Sequence, residues 1–277
     1  MPLKLQKTIE EIHQEKITSK SVINNAFEEL LSGLESGKYR TASCANGIWT
    51  ANSWVKQGIL LLFKQGKIID YSQPGFLFAD KDTLPLQKLD CIKKNIRIVP
   101  GVTSIRRGSY IGKNTIFMPP AYVNVGAYVD DDTMIDSHAL GGSGAQVGKN
   151  VHISAAAQIG GVLEPVNSIP VIIEDNVLLG GLVGIFEGVI VRKNAIIGAG
   201  TIITASTPVY DLVKNKIYRT QEARPLEIPE GAVVIQGSRK TKMKHGFDEE
   251  LYFNTPLIIK YRDEKMKDRI QFEELLR

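Results

Sequence analysis

Between Ile105 and Val209, bulky apolar residues return at every sixth position. One place in the repeat reads Ile105, Ile111, Phe117, Val123, Val129, Ile135, Gly141, Val147, Ile153 and Ile159. After an interruption it resumes as Ile173, Leu179, Ile185, Val191, Ile197 and Ile203. Fifteen of these sixteen are large and apolar, Gly141 being the exception. Two residues earlier stand small or β-branched side chains, among them Ser109, Thr115, Ala121, Ala127 and Thr133. Three residues later, ten of the sixteen places hold Gly, Asn or Asp, as at Gly108, Asn114, Gly126 and Asp132. These residue types accept positive φ more readily than others. A period of six misses the three-and-four spacing of a helix face. It fits a short strand that ends in a left-handed corner, with three strands to a coil. The pattern therefore predicts a parallel β-helix of hexapeptide repeats, its coils stacked ~4.8 Å apart. Positions eighteen apart should stack, which puts Asp136 against Ser154. A β-sandwich imposes no such regular spacing.

Outside the repeat the pattern changes. Residues 5–16 have the spacing of an amphipathic helix, with Leu5, Ile9 and Ile12 on one side. A second helix starts near Ser19 or Ser21, buries Ile23, Phe27, Leu30, Leu31 and Leu34, and stops at Gly37. Residues 39–44 alternate ahead of Asn46-Gly47, which predicts a hairpin returning over 48–50. Ser53 is placed to cap a third helix over 54–64. Residues 66–90, with Pro74 and Pro85, read as irregular, and 96–99 as the first strand of the repeat. The expected division is a mixed helical N-terminal domain over 1–95, a β-helix over 96–210 and a C-terminal segment over 211–277. The N-terminal domain would cap the open end of the β-helix. The C-terminal segment would hold strands at 231–237 and 256–261, a basic loop at 239–245 and a closing helix at 263–276. Within the repeat, residues 165–172 form an excursion, a common place for ligand contacts.

Charge and composition narrow the function classes. The 277 residues carry 34 basic and 30 acidic side chains, a net of +4, with no basic face interleaved with aromatics; nucleic acid is not an expected partner. Cys44 and Cys91 make no CxxC and no ligand cluster with the four histidines, so no metal is expected and both read as buried, reduced thiols. The N-terminus lacks an apolar signal core, and the longest apolar run, 59–63, is too short for a bilayer. A soluble cytoplasmic protein without membrane partners is the expectation.

A β-helix has no pocket of its own, but its flat faces suit packing against copies, and the clefts between copies suit ligands. Hexapeptide β-helices are often trimeric acyltransferases using coenzyme A, an analogy of fold alone. The motifs go further. Asn124-Val125-Gly126-Ala127-Tyr128-Val129-Asp130, Thr133-Met134-Ile135-Asp136 and Gln146-Val147-Gly148-Lys149-Asn150-Val151-His152-Ile153-Ser154 stand in order along the chain. Ile159-Gly160-Gly161-Val162-Leu163-Glu164-Pro165, Ile172-Ile173-Glu174-Asp175-Asn176 and Glu187-Gly188-Val189 follow. Together they resemble the tetrahydrodipicolinate N-succinyltransferase family over nearly the whole chain.

That resemblance implies a left-handed β-helix, a homotrimer with active sites between neighbouring subunits, and succinyl transfer from succinyl-CoA to an amino nitrogen in the diaminopimelate branch of lysine synthesis. By the same resemblance Arg97 matches a substrate-binding arginine and Asp136 an essential aspartate. The chemistry suits these types: an arginine clamps a carboxylate of the acceptor, and a carboxylate beside an amine can take its proton. Ser154-Ala155-Ala156-Ala157 and Gly198-Ala199-Gly200 are expected to line the coenzyme A site, since small side chains let a pantetheine arm approach the backbone. Three departures stand out. Ser137-His138 follows the aspartate where the family has Thr-Trp, Leu182 stands where many members have Arg, and Gly184 stands where they have Glu. Glu187 is the nearest remaining carboxylate and the second candidate for proton transfer. Three readings follow. One is the family's own reaction. Another is a related acyltransferase using acetyl-CoA or a different amino acid, as in a tabtoxin-like pathway. The third is a non-catalytic scaffold.

Overall fold

A computed structural model describes residues 2–221, 224–243 and 249–262. Its centre is a triangular prism of two-residue strands, a left-handed parallel β-helix. The first face stacks Arg97–Ile98, Ile116–Phe117, Met134–Ile135, His152–Ile153, Leu178–Leu179 and Ile196–Ile197. The second stacks Ser104–Ile105, Tyr122–Val123, Leu140–Gly141, Gln158–Ile159, Gly184–Ile185 and Ile202–Ile203. The third stacks Tyr110–Ile111, Tyr128–Val129, Gln146–Val147, Ile172–Ile173, Ile190–Val191 and Glu227–Ile228. From Ile105 onward the second residue of each strand is buried, so the sixfold set forms one continuous core. Backbone amides along a face pair with the neighbouring coils, which is why strands this short persist.

The ten corner residues of Gly, Asn or Asp all adopt positive φ, as the repeat predicts. At Gly126 the requirement is double: φ is +75°, and an added Cβ would lie 2.7 Å from Ile59. Ile135 pairs with Ile153, and the Asp136 amide donates to the Ile153 carbonyl at 2.9 Å, so Asp136 and Ser154 stack as expected.

Three helices, α1 (Pro2–His13), α2 (Lys20–Glu35) and α3 (Ser53–Gln65), share a separate apolar core that includes Val125 of the prism. They do not cap its open end. Leu31 and Leu34 sit against Gly108, and Ile59 against Gly126, so the helices lie along the corner between the second and third faces. The N-terminal end of the core is covered instead by Leu89, Cys91 and Ile96.

Other expectations are corrected in detail. The residue in the capping place of α3 is Asn52, and its side-chain amide donates to the Arg40 carbonyl rather than capping the helix; Ser53 is already helical. Residues 66–90 contain a hairpin, Ile68–Asp70 with Ala79–Lys81. Coiling continues past Val209: Ile228 stacks on Val191 and Val234 on Ile197, six residues apart. Two hexads after a long excursion are too few to read as a period. Ala232–Lys240 and Tyr252–Tyr261 pair antiparallel, so Arg239 and Lys240 are in a strand rather than a loop. Cys44 is exposed on its hairpin and Cys91 half-buried; neither is a core thiol, and both are free. The helix expected over 263–276 lies outside the described residues. Among those residues, no helix is long and apolar enough to cross a membrane.

Candidate active site

The prism's three edges differ chemically. The edge between the second and third faces is covered by the helices. The edge between the third and first faces is charged and tied from coil to coil: Asp131 accepts from the Lys113 amide and Asp175 from the Lys149 amide, both at 2.8 Å. Asn114 and Asn150 bond side chain to side chain with Asp132 and Asn176. The edge between the first and second faces is open and built of small residues. Down it run Asp136, Ser154, Gly180 and Gly198, one per coil, then Ser137, Ala155, Gly181 and Ala199 beside them, then His138, Ala156, Leu182 and Gly200 at the turn.

This edge carries a concentration of backbone strain. His138, Ala156 and Leu182 hold φ at 61°, 59° and 62°. A left-handed conformation costs a non-Gly residue on the order of 1 kcal/mol. Elsewhere in the repeat the same place is mostly Gly, Asn or Asp. Strain of this kind gathers at functional sites. The edge also presents hydrogen-bond donors. Asp136 Oδ1 accepts from the Ser137 amide at 2.7 Å. Below it Ser154, Gly180 and Gly198 make no such bond, and the amides of Ala155, Gly181 and Ala199 have no acceptor among the described residues. The result is a ladder of free N–H groups at ~4.8 Å steps, leading from Asp136.

The structure therefore brings Asp136, Ser154, Ala155, Ala156, Gly198 and Ala199 to one edge. Arg97 opens the first face two coils before Asp136 and is exposed. Glu187 is not part of this group. It stands at the second–third edge, where its carboxylate accepts from the Ala205 amide at 3.0 Å. Sequence proximity to Leu182 and Gly184 is misleading here, because a hexad carries the chain across a whole face. Gly198 has a packing reason as well: a Cβ would lie 3.0 Å from the Val234 carbonyl. Gly180 is tighter, 2.6 Å from the Ala199 amide.

Two residues of the adjoining second face and its far corner escaped the sequence reading. Gln158 donates its side-chain amide to the His138 carbonyl at 3.0 Å and the Ala156 carbonyl at 3.1 Å, tying two strained turns together. Phe186 lies over Gly184 and Gly160; an added Cβ would meet its ring at 2.5 Å and 2.7 Å respectively. The space that a side chain at 184 would claim is filled by this ring. Both residues look like ordinary repeat positions, and only the stacking of coils shows their roles. Leu182 is 68 % exposed and apolar in the middle of the edge. Among the described residues no three His, Cys, Asp or Glu side chains are grouped to hold a metal.

Comparison with known proteins agrees with this architecture. Residues 4–64 match the model for the N-terminal domain of tetrahydrodipicolinate N-succinyltransferase, and 170–205 that for the hexapeptide repeat of succinyl-transferase. Three relatives bear the name 2,3,4,5-tetrahydropyridine-2,6-dicarboxylate N-succinyltransferase. That of Sodalis glossinidius is 37% identical, over 99% of this chain and 98% of its own. That of Legionella pneumophila strain Corby is 42% identical, over 94% and 91%. That of Buchnera aphidicola is 43% identical, over 83% and 82%. Identity of this degree, end to end, with the repeat and the helical domain both matched, makes this chain a member of the tetrahydrodipicolinate N-succinyltransferase family of acyltransferases.

Proposed function

We propose that the protein transfers a succinyl group from succinyl-CoA to the amino nitrogen of tetrahydrodipicolinate, in the diaminopimelate branch of lysine synthesis. The observation that carries this reading is the open first–second edge, where Asp136 stands at the head of a column of small residues and free amides. A pantetheine arm carries two amides and has no charge, so a small-residue edge with unpaired N–H groups suits it. Ser154, Ala155, Ala156, Gly198 and Ala199 are the residues we assign to that contact. The thioester then lies near Asp136. Its carboxylate engages the acceptor's amino group and takes a proton as the nitrogen attacks the thioester carbonyl. The negative charge that develops on the carbonyl oxygen is met by a backbone amide of the ladder. Collapse of the tetrahedral intermediate breaks the carbon–sulfur bond, the nitrogen keeps the acyl group, and the coenzyme leaves as the thiol.

Arg97 lies about 10 Å from the coil of Asp136 along the prism axis. An arginine side chain and a dicarboxylic acid of six or seven carbons together span such a gap, so Arg97 is assigned to an acceptor carboxylate. We assign proton transfer to Asp136 alone within one protomer, because Glu187 faces another edge. Assembly as a homotrimer, with the edge of one copy covered by the flat face of the next, supplies the walls that a single prism lacks.

A second reading has a specific observation behind it. Leu182 on the edge, and the Phe186 ring over Gly184 on the second face beside it, are apolar where a charged acceptor or a succinyl carboxylate would want a partner. That favours acetyl-CoA or a less charged amino acid. Release of coenzyme A thiol, assayed with succinyl-CoA and acetyl-CoA against tetrahydrodipicolinate and a panel of amino acids, decides between them. Turnover with succinyl-CoA and tetrahydrodipicolinate is expected. Turnover with acetyl-CoA only would replace this reading by the second, and none with any pair would leave the scaffold.

A further inference from the structure

A cavity lies on the far side of the prism from the candidate active site. The hairpin Ala42–Ala45 with Ile48–Ala51 and the preceding Arg40 lean over the third face. Between them and the third–first edge is a cavity of about 220 Å³, lined by Arg40, Trp49, Asp130, Gln146, Glu174 and Asp175 among others.

Arg40 is held there rather than left to roam. Its Nε donates to Gln146 Oε1 at 2.8 Å, and its guanidinium carbon sits 3.7 Å from the centroid of the Tyr128 ring. Gln146 is itself fixed, its amide donating to Thr41 Oγ1 at 2.8 Å and to the Gly144 carbonyl at 2.9 Å. Burial lowers the Arg40 pKa and pushes that of Tyr128 up to about 12, so the two meet as a cation on a neutral ring, not as an ion pair. Among the described residues neither terminal nitrogen of Arg40 bonds to an oxygen. A desolvated guanidinium with both ends open is costly unless something accepts from it.

The opposite wall is acidic and half-used. Asp130 accepts from the Asp131 amide through Oδ1 at 2.9 Å, and Asp175 from the Lys149 amide through Oδ1 at 2.8 Å. Neither Oδ2 has a partner among the described residues. Glu174, by contrast, is fully engaged by Trp49, Arg192 and the Lys193 amide. A fixed cation thus faces two carboxylates across a space the size of a small metabolite, with Lys193 also in its lining and the Lys149 ammonium acting on Asp130 and Asp175 from beside it.

We propose that this cavity binds a small α-amino acid as its zwitterion, the carboxylate on the Arg40 guanidinium and the ammonium on Asp130 and Asp175. The pairing matches both charges at once, and a planar guanidinium binds a carboxylate through two parallel bonds. The site is separate from the first–second edge, so its occupant is an effector or a positioned second ligand rather than the acyl acceptor.

Direct binding to the full-length protein tests this without reference to turnover. Calorimetry would use glycine, L-alanine and L-lysine, with acetate and ethylamine as probes that carry one charge each. At least one amino acid should bind ten times more tightly than either half-probe. In Asp175→Asn, which keeps the Oδ1 acceptor for the Lys149 amide, that amino acid should bind about tenfold more weakly while acetate is unchanged. Arg40→Met, checked for native circular dichroism, should lose both. Acetate binding as well as any amino acid would overturn the zwitterion assignment. So would no binding by a folded protein, or an Asp175→Asn variant with unaltered amino-acid affinity.

Discussion

Leu182 keeps φ at 62° with most of its side chain in solvent, so neither burial nor backbone preference explains it. Replacing it with glycine should relieve strain and raise stability by about 0.5–1 kcal/mol, less than the full left-handed penalty because glycine gains more entropy on unfolding. A denaturant midpoint that falls would contradict this. Asp136→Asn keeps shape and removes the base, so kcat should drop by roughly two to four orders of magnitude in the thiol-release assay. Undiminished turnover would mean the proton goes elsewhere. Arg97→Ala should act mainly on KM for the acceptor, since it removes binding common to ground and transition states.

At the scale of the elements, one coil is kept from its neighbours by glycines that do different work. Gly141 is the gap in the apolar register, yet a Cβ there would come no closer than 3.6 Å to Val123 and 3.8 Å to the Tyr122 carbonyl, ordinary contacts. Gly141→Ala should therefore stabilise the protein by roughly 0.5–1 kcal/mol, by filling space and by restricting the unfolded chain. Gly180→Ala should do the reverse, because its Cβ would press within 2.6 Å of the Ala199 backbone. Paired melting curves of these two variants check both signs. The join between α3 and the excursion after Ile159 rests on Lys56. Its side chain is wholly buried, and its ammonium donates to the Ser168 carbonyl at 2.6 Å with no carboxylate among its partners. Burial lowers its pKa to about 8 from 10.5. A folded-state pKa depressed in this way means the unfolded chain binds the proton more tightly. The resulting penalty is fully present below about pH 8 and fades as pH rises toward the unfolded value of 10.5. Wild type should gain stability relative to Lys56→Met between pH 7 and pH 10, and urea midpoints at both ends measure the difference. A constant difference would show that Lys56 does not titrate in this window.

For the whole molecule, the distribution of work among the three edges is the main result. The helices take one, side-chain ladders of Asp and Asn take another, and the third is left small, strained and rich in free amides. A lone prism leaves that edge open to water, which suits neither thioester chemistry nor discrimination between acyl groups. Association into the proposed trimer would close it. Light scattering at micromolar concentration should give about three times the 30.6 kDa chain mass. A monomeric mass together with full activity would show that one prism suffices.

The sequence by itself determined the prism. A period of six with apolar residues inward and Gly, Asn or Asp three places on is a local rule repeated many times, and each hexad confirms the next. The stacking of Asp136 on Ser154 followed from counting. The family was also legible, because its motifs are contiguous runs of the chain. What only the tertiary structure decided is how separate hexads and the helical domain meet. Glu187 is five residues from Leu182 yet on another edge, since each hexad turns the chain by a third of a circuit. Phe186 over Gly160, Gln158 against His138, the late hexads at Ile228 and Val234, and the helices along an edge rather than over an end all depend on contacts between residues distant in the chain. Arg40 reaches Gln146 across more than a hundred residues. No pattern in the chain records such a contact, because packing in three dimensions, not periodicity, creates it.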